Sequence, residues 1–402
     1  MKRRLIVWLM VSTVCVAVVA ACTGVVLDMT PIAVTQDTAA EAPTAVPAPM
    51  PTETSIPTLP VLVDGQFDRR AMLTNIANVV ILPAHERLAA ESAQLQFAIE
   101  QFAAEPTAET LITAQEQWVT TAAAGSSIEP FMLRFTMLIR GQIKKWPINT
   151  KFIEDFIADT EQIDEPFISS IGSTSKGLGA LEYLLFAVAE NDIVDSDTAI
   201  DDEILATLTA NPQRTAYLVA SAQNLTITTA RLNEMWSAEG GNQAQRFIDA
   251  DDAGNNVQGS ISILANEMIA LVEGMVKDKI DEPLQGAYAE AQPEAVESPY
   301  GQASVPLMVA NLRSAQNIMH AGFGEYLGFL GQSELADAID SQFEKAIGTL
   351  EEIAPSLQVA VIDSPDAVQA ARDEVKALLV LLKVDMANQM SITVTFSDND
   401  GD

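Results

Sequence analysis

Apolar residues recur every three or four positions through most of the chain after residue 70, and this spacing commits it to helices. Leu218, Ala222, Leu225, Thr229, Leu232 and Trp236 step by four and three, as do Val257, Ile261, Leu264, Met268, Leu271 and Met275. On a helix each set falls along one face, an apolar stripe that must be buried against a neighbour. A third stripe, Val368, Ala371, Val375, Leu378 and Leu382, follows Ser364-Pro365-Asp366. That triplet reads as a helix start, with proline in the first turn and an acid at the positive end of the helix dipole. Further helices are predicted over Arg70 to Ala104, Thr110 to Ala123, Phe152 to Asp159 and Lys176 to Ala189. Pro83 removes a backbone donor from the first of these and is expected to kink or split it. One strand is expected, Ile392 to Phe396, where Ile392, Val394 and Phe396 alternate with threonine.

Eight or more helices are too many for one four-helix bundle. The expected fold class is all-α: two packed four-helix-type bundles with at most a short C-terminal strand. The halves cover about 62–238 and 257–402, divided around the Gly/Asn/Asp-rich segment Glu239 to Asn256.

Residues 1–61 have a different character. Lys2, Arg3 and Arg4 precede an apolar run, Leu5 to Ala20, that is short for a membrane span and rich in small residues at its end. Residues 1–21 therefore read as a signal peptide. Val19-Ala20-Ala21-Cys22 resembles a bacterial lipobox, which would make Cys22 the lipidated first residue of the mature chain. An uncleaved anchor helix is the competing reading, and both place the folded part outside the cytoplasm. The other cysteine, Cys15, lies inside the signal, so a chain beginning at Cys22 has no thiol for a disulfide, a thiolate metal site or a nucleophile. Residues 22–61 hold seven of the 19 prolines, mixed with Thr and Ala and without an aromatic residue. Such a segment buries too little to fold and reads as a tether.

The chain carries 22 basic and 55 acidic residues, a net charge of −33. Nucleic acid and anionic lipid are repelled by that field, and cations are favoured. The expected partners are the membrane, through lipid on Cys22, and a cationic or metal-complex ligand or another envelope protein.

Four segments then occur in order: Trp146-Pro147-Ile148-Asn149, the run Gly177 to Phe186, Arg214-Thr215-Ala216-Tyr217-Leu218 leading to Trp236, and the ending Phe396 to Asp402. Together with Pro83 and Trp118 they resemble the imelysin family of bacterial envelope proteins, over roughly residues 70–402. The resemblance implies two four-helix bundles in an exported or lipid-anchored protein, a link to iron acquisition, and a peptidase assignment carried by the family name. The family signature is Gly-x-His-x-x-Glu. Gly177 and Glu182 match it, but Gly179 stands where the histidine belongs.

Residues three apart share a helix face, so histidine and glutamate in that motif can ligate one metal or share a proton. With Gly179 half of the pair is missing, and one carboxylate makes neither a transition-metal site nor an acid–base couple. Glu182 remains a metal-ligand candidate if other helices supply partners; otherwise it is a helix carboxylate satisfied by Arg, Lys or backbone. A histidine placed at 179 is expected to add a ligand and, by replacing a glycine within a helix, some stability. His85 and His320 lack a His or Cys partner at ligand spacing and read as helix-end residues bonded to carbonyls. Asp398, Asp400 and Asp402 resemble the opening of a calcium loop that ends before its bidentate glutamate. They are a weak divalent-metal candidate against a structural role at the edge of the last strand. Trp146 and Tyr183 flank the motif and are expected to line a cleft between the bundles.

The residues themselves establish no cofactor; a divalent metal or iron is the class the resemblance allows. No catalytic residue is assigned. Three functions remain open: a non-catalytic binding lipoprotein, a metallopeptidase of the imelysin type, and an envelope scaffold. Cys22→Ser is expected to release the protein from the membrane fraction, and unchanged fractionation with an unprocessed signal would point to an anchor helix.

Overall fold

The stripes find their partners in an all-α fold. The computed structural model describes residues 62–395 apart from 64–65, 134–135, 188–197, 253–255 and 286–289. Cys22, the expected signal peptide and tether, and Asp398, Asp400 and Asp402 lie outside the described residues. After a two-stranded antiparallel hairpin, β1 (Leu62–Val63) and β2 (Gln66–Phe67), comes the long helix α1 over 69–104. The helices that follow are α2 (Ala108–Ser127), α3 (Met137–Ile143), α4 (Thr150–Asp159), α5 (Glu165–Ser170) and α6 (Gly177–Phe186). Next are α7 (Thr198–Ala210), α8 (Pro212–Trp236) and α9 (Gln243–Asp249). The C-terminal part holds α10 over 260–284, α11 over 304–329, α12 (Ser333–Glu351), α13 (Leu357–Asp363) and α14 over 365–389.

The stripe from Leu218 to Trp236 is buried along α8, and that from Val368 to Leu382 along α14. In α10 the stripe is buried from Ile261 to Met275, whereas Val257 lies in the turn before the helix and is exposed. Each large apolar side chain so buried contributes roughly 1.5–3 kcal/mol. Helix α1 packs against both α2 and α8, α12 packs against α11 and α14, and α11 also lies along α2. That α2–α11 seam joins the two groups over one continuous apolar core. Among the described residues no helix is long and apolar enough to cross a membrane.

Several local expectations change. Pro83 does not split α1: the helix passes through a π-helical turn, Ala77–Ile81, and Pro83 sits in the first turn of the α segment Leu82–Ala104. Its missing N–H is thus placed where the hydrogen-bond register is already changing. Similar π turns interrupt α10 at Met275–Asp281, α11 at Met319–Phe323 and α14 at Leu381–Met386. The α11 turn lies against α1. A Cβ on Gly322 would come 2.4 Å from Met72 Cγ, and Asn75 Nδ2 donates to the Ala321 carbonyl at 2.8 Å.

The segment 239–256 is not simply a divider, since it contains α9. The helix begun at Gly177 ends at Phe186, where Ala187 is extended. The expected strand is absent from the described part of its range: Ile392 to Thr395 forms no ladder. Alternation is real there, with Ile392 buried and Thr393 and Thr395 exposed. The pairing partner is a side chain, however. Asn266 of α10 donates to the Thr393 carbonyl at 3.1 Å and accepts from the Thr395 N–H at 2.7 Å, its amide standing in for a neighbouring peptide.

Candidate functional site

The motif segment begins at Gly177, whose φ of +73° is open to glycine at low cost. A Cβ there would also lie 2.5 Å from the carbonyl oxygens of Gln142 and Ile143, so α6 starts pressed onto the end of α3. Two residues on, Gly179 faces the loop that joins α3 to α4. A Cβ on Gly179 would be 2.4 Å from Ile148 Cγ2 and 3.1 Å from the Lys145 carbonyl. The space a side chain needs at 179 is filled by Ile148. The expectation that histidine at 179 would add stability is therefore overturned: the gain in helix propensity is outweighed by overpacking against a partly buried isoleucine.

One turn further, Glu182 is 4% exposed. Its Oε1 accepts three hydrogen bonds from a loop preceding α11: from Ser298 Oγ at 2.8 Å, the Tyr300 N–H at 3.0 Å and the Gly301 N–H at 2.9 Å. The backbone reading of this carboxylate is the one the geometry shows. Burial raises its pKa to about 7, outweighing the hydrogen bonds that favour the ionised form. Gly301 must be small, since a Cβ there would lie 2.9 Å from Trp118 Cζ3. Trp118 is itself fixed by a 2.9 Å bond from Nε1 to the Leu178 carbonyl.

Beside Glu182 lies a buried quartet of charges. Lys144 Nζ is 2.6 Å from Glu129 Oε1 and 2.8 Å from Glu297 Oε1, and Lys279 Nζ is 3.0 Å from Glu297 Oε2 and 3.7 Å from Glu129 Oε2. Asn311 Oδ1 accepts from Lys279 at 2.9 Å, and Ser126 Oγ accepts from Lys144 at 2.8 Å. Burial opposes the charges of Glu129, Glu297 and Lys144, but the opposite partners prevail. Glu129 and Glu297 are held below the usual carboxylate range and Lys144 above the usual lysine value.

A cavity of about 210 Å³ opens between these groups, lined among others by Trp118, Trp146, Ile148, Gly179, Glu182 and Tyr300. Lys144 and Glu297 also reach its wall. Trp146 lines this cavity, with Nε1 donating to the Val296 carbonyl at 3.2 Å. Tyr183 does not line it. That ring is buried one layer behind Tyr300, their centroids 5.3 Å apart, and its hydroxyl donates to Glu154 at 2.7 Å.

The histidines lie elsewhere. His85 is buried in α1, where Nδ1 donates to the Ile81 carbonyl at 2.8 Å and burial lowers its pKa to about 4. His320 does not bond a helix-end carbonyl; it sits in the π turn of α11 with Nε2 2.6 Å from Asp340 Oδ1. Among the described residues no group of three or more His, Cys, Asp or Glu is arranged to hold a metal ion. Sequence reasoning missed Glu129, Lys144, Lys279, Glu297 and the Ser298 to Gly301 loop. For Glu129, Lys144 and Glu297 the available signal was a charge close to a proline in a connection, whereas Lys279 lies within α10 and gave none.

The fold is all-α, with a buried glutamate three residues after a helix glycine, and comparison supplies the family. Residues 81–384 match the model of the imelysin family, peptidase M75, and the chain belongs to that family. An imelysin-like protein from Psychrobacter arcticum 273-4 superposes with a TM-score of 0.67 at 18% identity, covering 85% of this chain and 100% of that one. A protein of Parabacteroides distasonis ATCC 8503, described as an iron-regulated protein A precursor, gives 0.65 at 16% identity over 84% and 97%. No curated protein sequence matches.

Gly179→Ala is expected to lower stability by about 1–3 kcal/mol through overpacking, with Ile148→Ala in the same chain recovering part of the loss. Denaturant titration of the single and double variants measures this, and strictly additive costs would exclude the contact as the cause. A second expectation follows from Glu182, whose pKa of about 7 exceeds its ordinary 4.5. Between those values the folded state holds more protons than the unfolded state. Stability therefore declines as pH rises through that window, by at most about 1.4 kcal/mol per unit. Comparing unfolding free energies of the unmodified protein and Glu182→Gln from pH 4.5 to 8 should show this decline only in the former.

Proposed function

We propose that this chain is an extracytoplasmic binding protein of the imelysin family, held at a membrane by lipid on Cys22, that captures a cationic ligand without transforming it. The observation that carries the reading is the cavity at Glu182. The family motif there ends in a deeply buried carboxylate, while the position three residues earlier has neither a side chain nor room for one. A ligand can enter, but the histidine that would share a metal or a proton with Glu182 is missing. The aromatic walls and the paired charges behind them form a rigid lining suited to binding. The chain's strong negative charge raises the local concentration of cations. The iron-regulated description of the Parabacteroides protein supports a place in iron or other cation acquisition.

The test is calorimetric titration with zinc, iron(II) and ferric citrate, for the unmodified protein and Glu182→Gln, alongside a general peptidase assay. Binding of a cation without peptide cleavage is expected, with bare zinc and iron(II) held only weakly and little affected by Glu182→Gln. Metal-dependent cleavage that vanishes in Glu182→Gln would restore the metallopeptidase, and binding to neither cation nor peptide would favour a scaffold.

A further inference from the structure

The charges around the cavity do not balance evenly. Lys144 and Lys279 are both committed to Glu129 and Glu297, two cations against two anions. Glu182 stands outside that exchange. Its identified partners are a hydroxyl and two N–H groups, and the charge that acts on it most directly is the like charge of Glu297. Among the described residues no lysine or arginine forms an ion pair with it. A buried carboxylate without a counter-charge is costly, and it lines the one wall of the cavity where a cation would relieve that cost.

The remaining walls specify what kind of cation. The N–H groups of Trp118 and Trp146 are spent on the carbonyls of Leu178 and Val296, so both rings offer a ligand only their π surface and hydrocarbon edge. Tyr300 and the prolines Pro147 and Pro299 add further apolar surface, and the exposed Lys145 and Glu294 add one charge of each sign. Such a lining attracts an organic cation through the ring quadrupole and accepts its hydrocarbon part. It offers a bare metal ion little, because among the described residues no group of three or more His, Cys, Asp or Glu is arranged to hold one. Size narrows the ligand further. At about 210 Å³ the cavity lies below the roughly 300–1,000 Å³ of pockets for drug-sized ligands, a volume suited to a small amine.

We propose that the cavity binds a small protonated amine, its ammonium against Glu182 and its hydrocarbon part between Trp118, Trp146 and Tyr300. This rests on the reading of the cavity as a binding site and names the chemistry of its ligand.

The experiment titrates the purified protein at pH 6.5 with n-butylamine and benzylamine, and with the neutral isosteres n-butanol and benzyl alcohol. Tryptophan fluorescence and calorimetry follow binding, because two indoles line the cavity. The amines are expected to bind at least tenfold more tightly than the alcohols, with that preference lost in Glu182→Gln and both affinities weakened in Trp146→Leu. Ammonium binding should also expel the proton from Glu182. In the unmodified protein this appears as proton release, seen as a heat that depends on the ionisation enthalpy of the buffer, and it is a readout independent of whether the variants fold. Equal binding of amines and alcohols would overturn the amine assignment and leave the binding site standing. A response to zinc or ferric citrate but not to amines would overturn it in favour of a metal. Silence to every probe would overturn both the assignment and the binding reading beneath it.

Discussion

Two lysines and two glutamates taken out of water together are the constraint around which the centre of this protein is arranged. Each of Glu129, Lys144, Lys279 and Glu297 costs several kcal/mol to bury, and the quartet is tolerable only while all four keep their partners. They come from four separate places: the turn after α2, the loop after α3, the π turn of α10 and the connection before α11. Fixing one therefore fixes the rest. The quartet also sets the position of Trp146, two residues beyond Lys144, and of the Ser298 to Gly301 loop that directly follows Glu297. Both pieces line the cavity. A site whose walls come from distant segments is held here by charge pairing rather than by a continuous helix.

The helices were legible because burial on one side of a 3.6-residue repeat leaves a periodic mark, and the stripes of α8, α10 and α14 carry it plainly. The motif was legible as well, since Gly177, Gly179 and Glu182 share one helix. What could not be read was the partnership. Nothing in the local sequence around Lys144 reveals that it faces Glu297, because ion pairs between loops leave no period. Ile392 to Thr395 failed differently. Its alternation arises from one face being buried, which strand pairing and a single asparagine amide produce alike. Tyr183 was assigned to the cleft from its neighbourhood to Glu182, yet adjacent residues on a helix point about 100° apart, and its ring turns to Glu154.

Gly179 shows how one position can serve two demands. By resemblance it stands where the family motif has a histidine; as a point of close approach it lets the 144–149 loop reach α6. The loop then brings Ile148 and Trp146 against the cavity. The residue that a resemblance identifies as missing is thus also one that this chain's packing requires to be small.

The four π turns have a consequence for how this fold persists through time. A π turn is an α-helix carrying one extra residue, with its two ends otherwise intact. Long helices that tolerate such turns can gain or lose single residues without losing their place in the bundle, while every apolar stripe beyond the turn shifts by one position. Descent then leaves shapes that superpose over most of their length and sequences whose matching residues slip past one another inside helices, where insertions are least looked for.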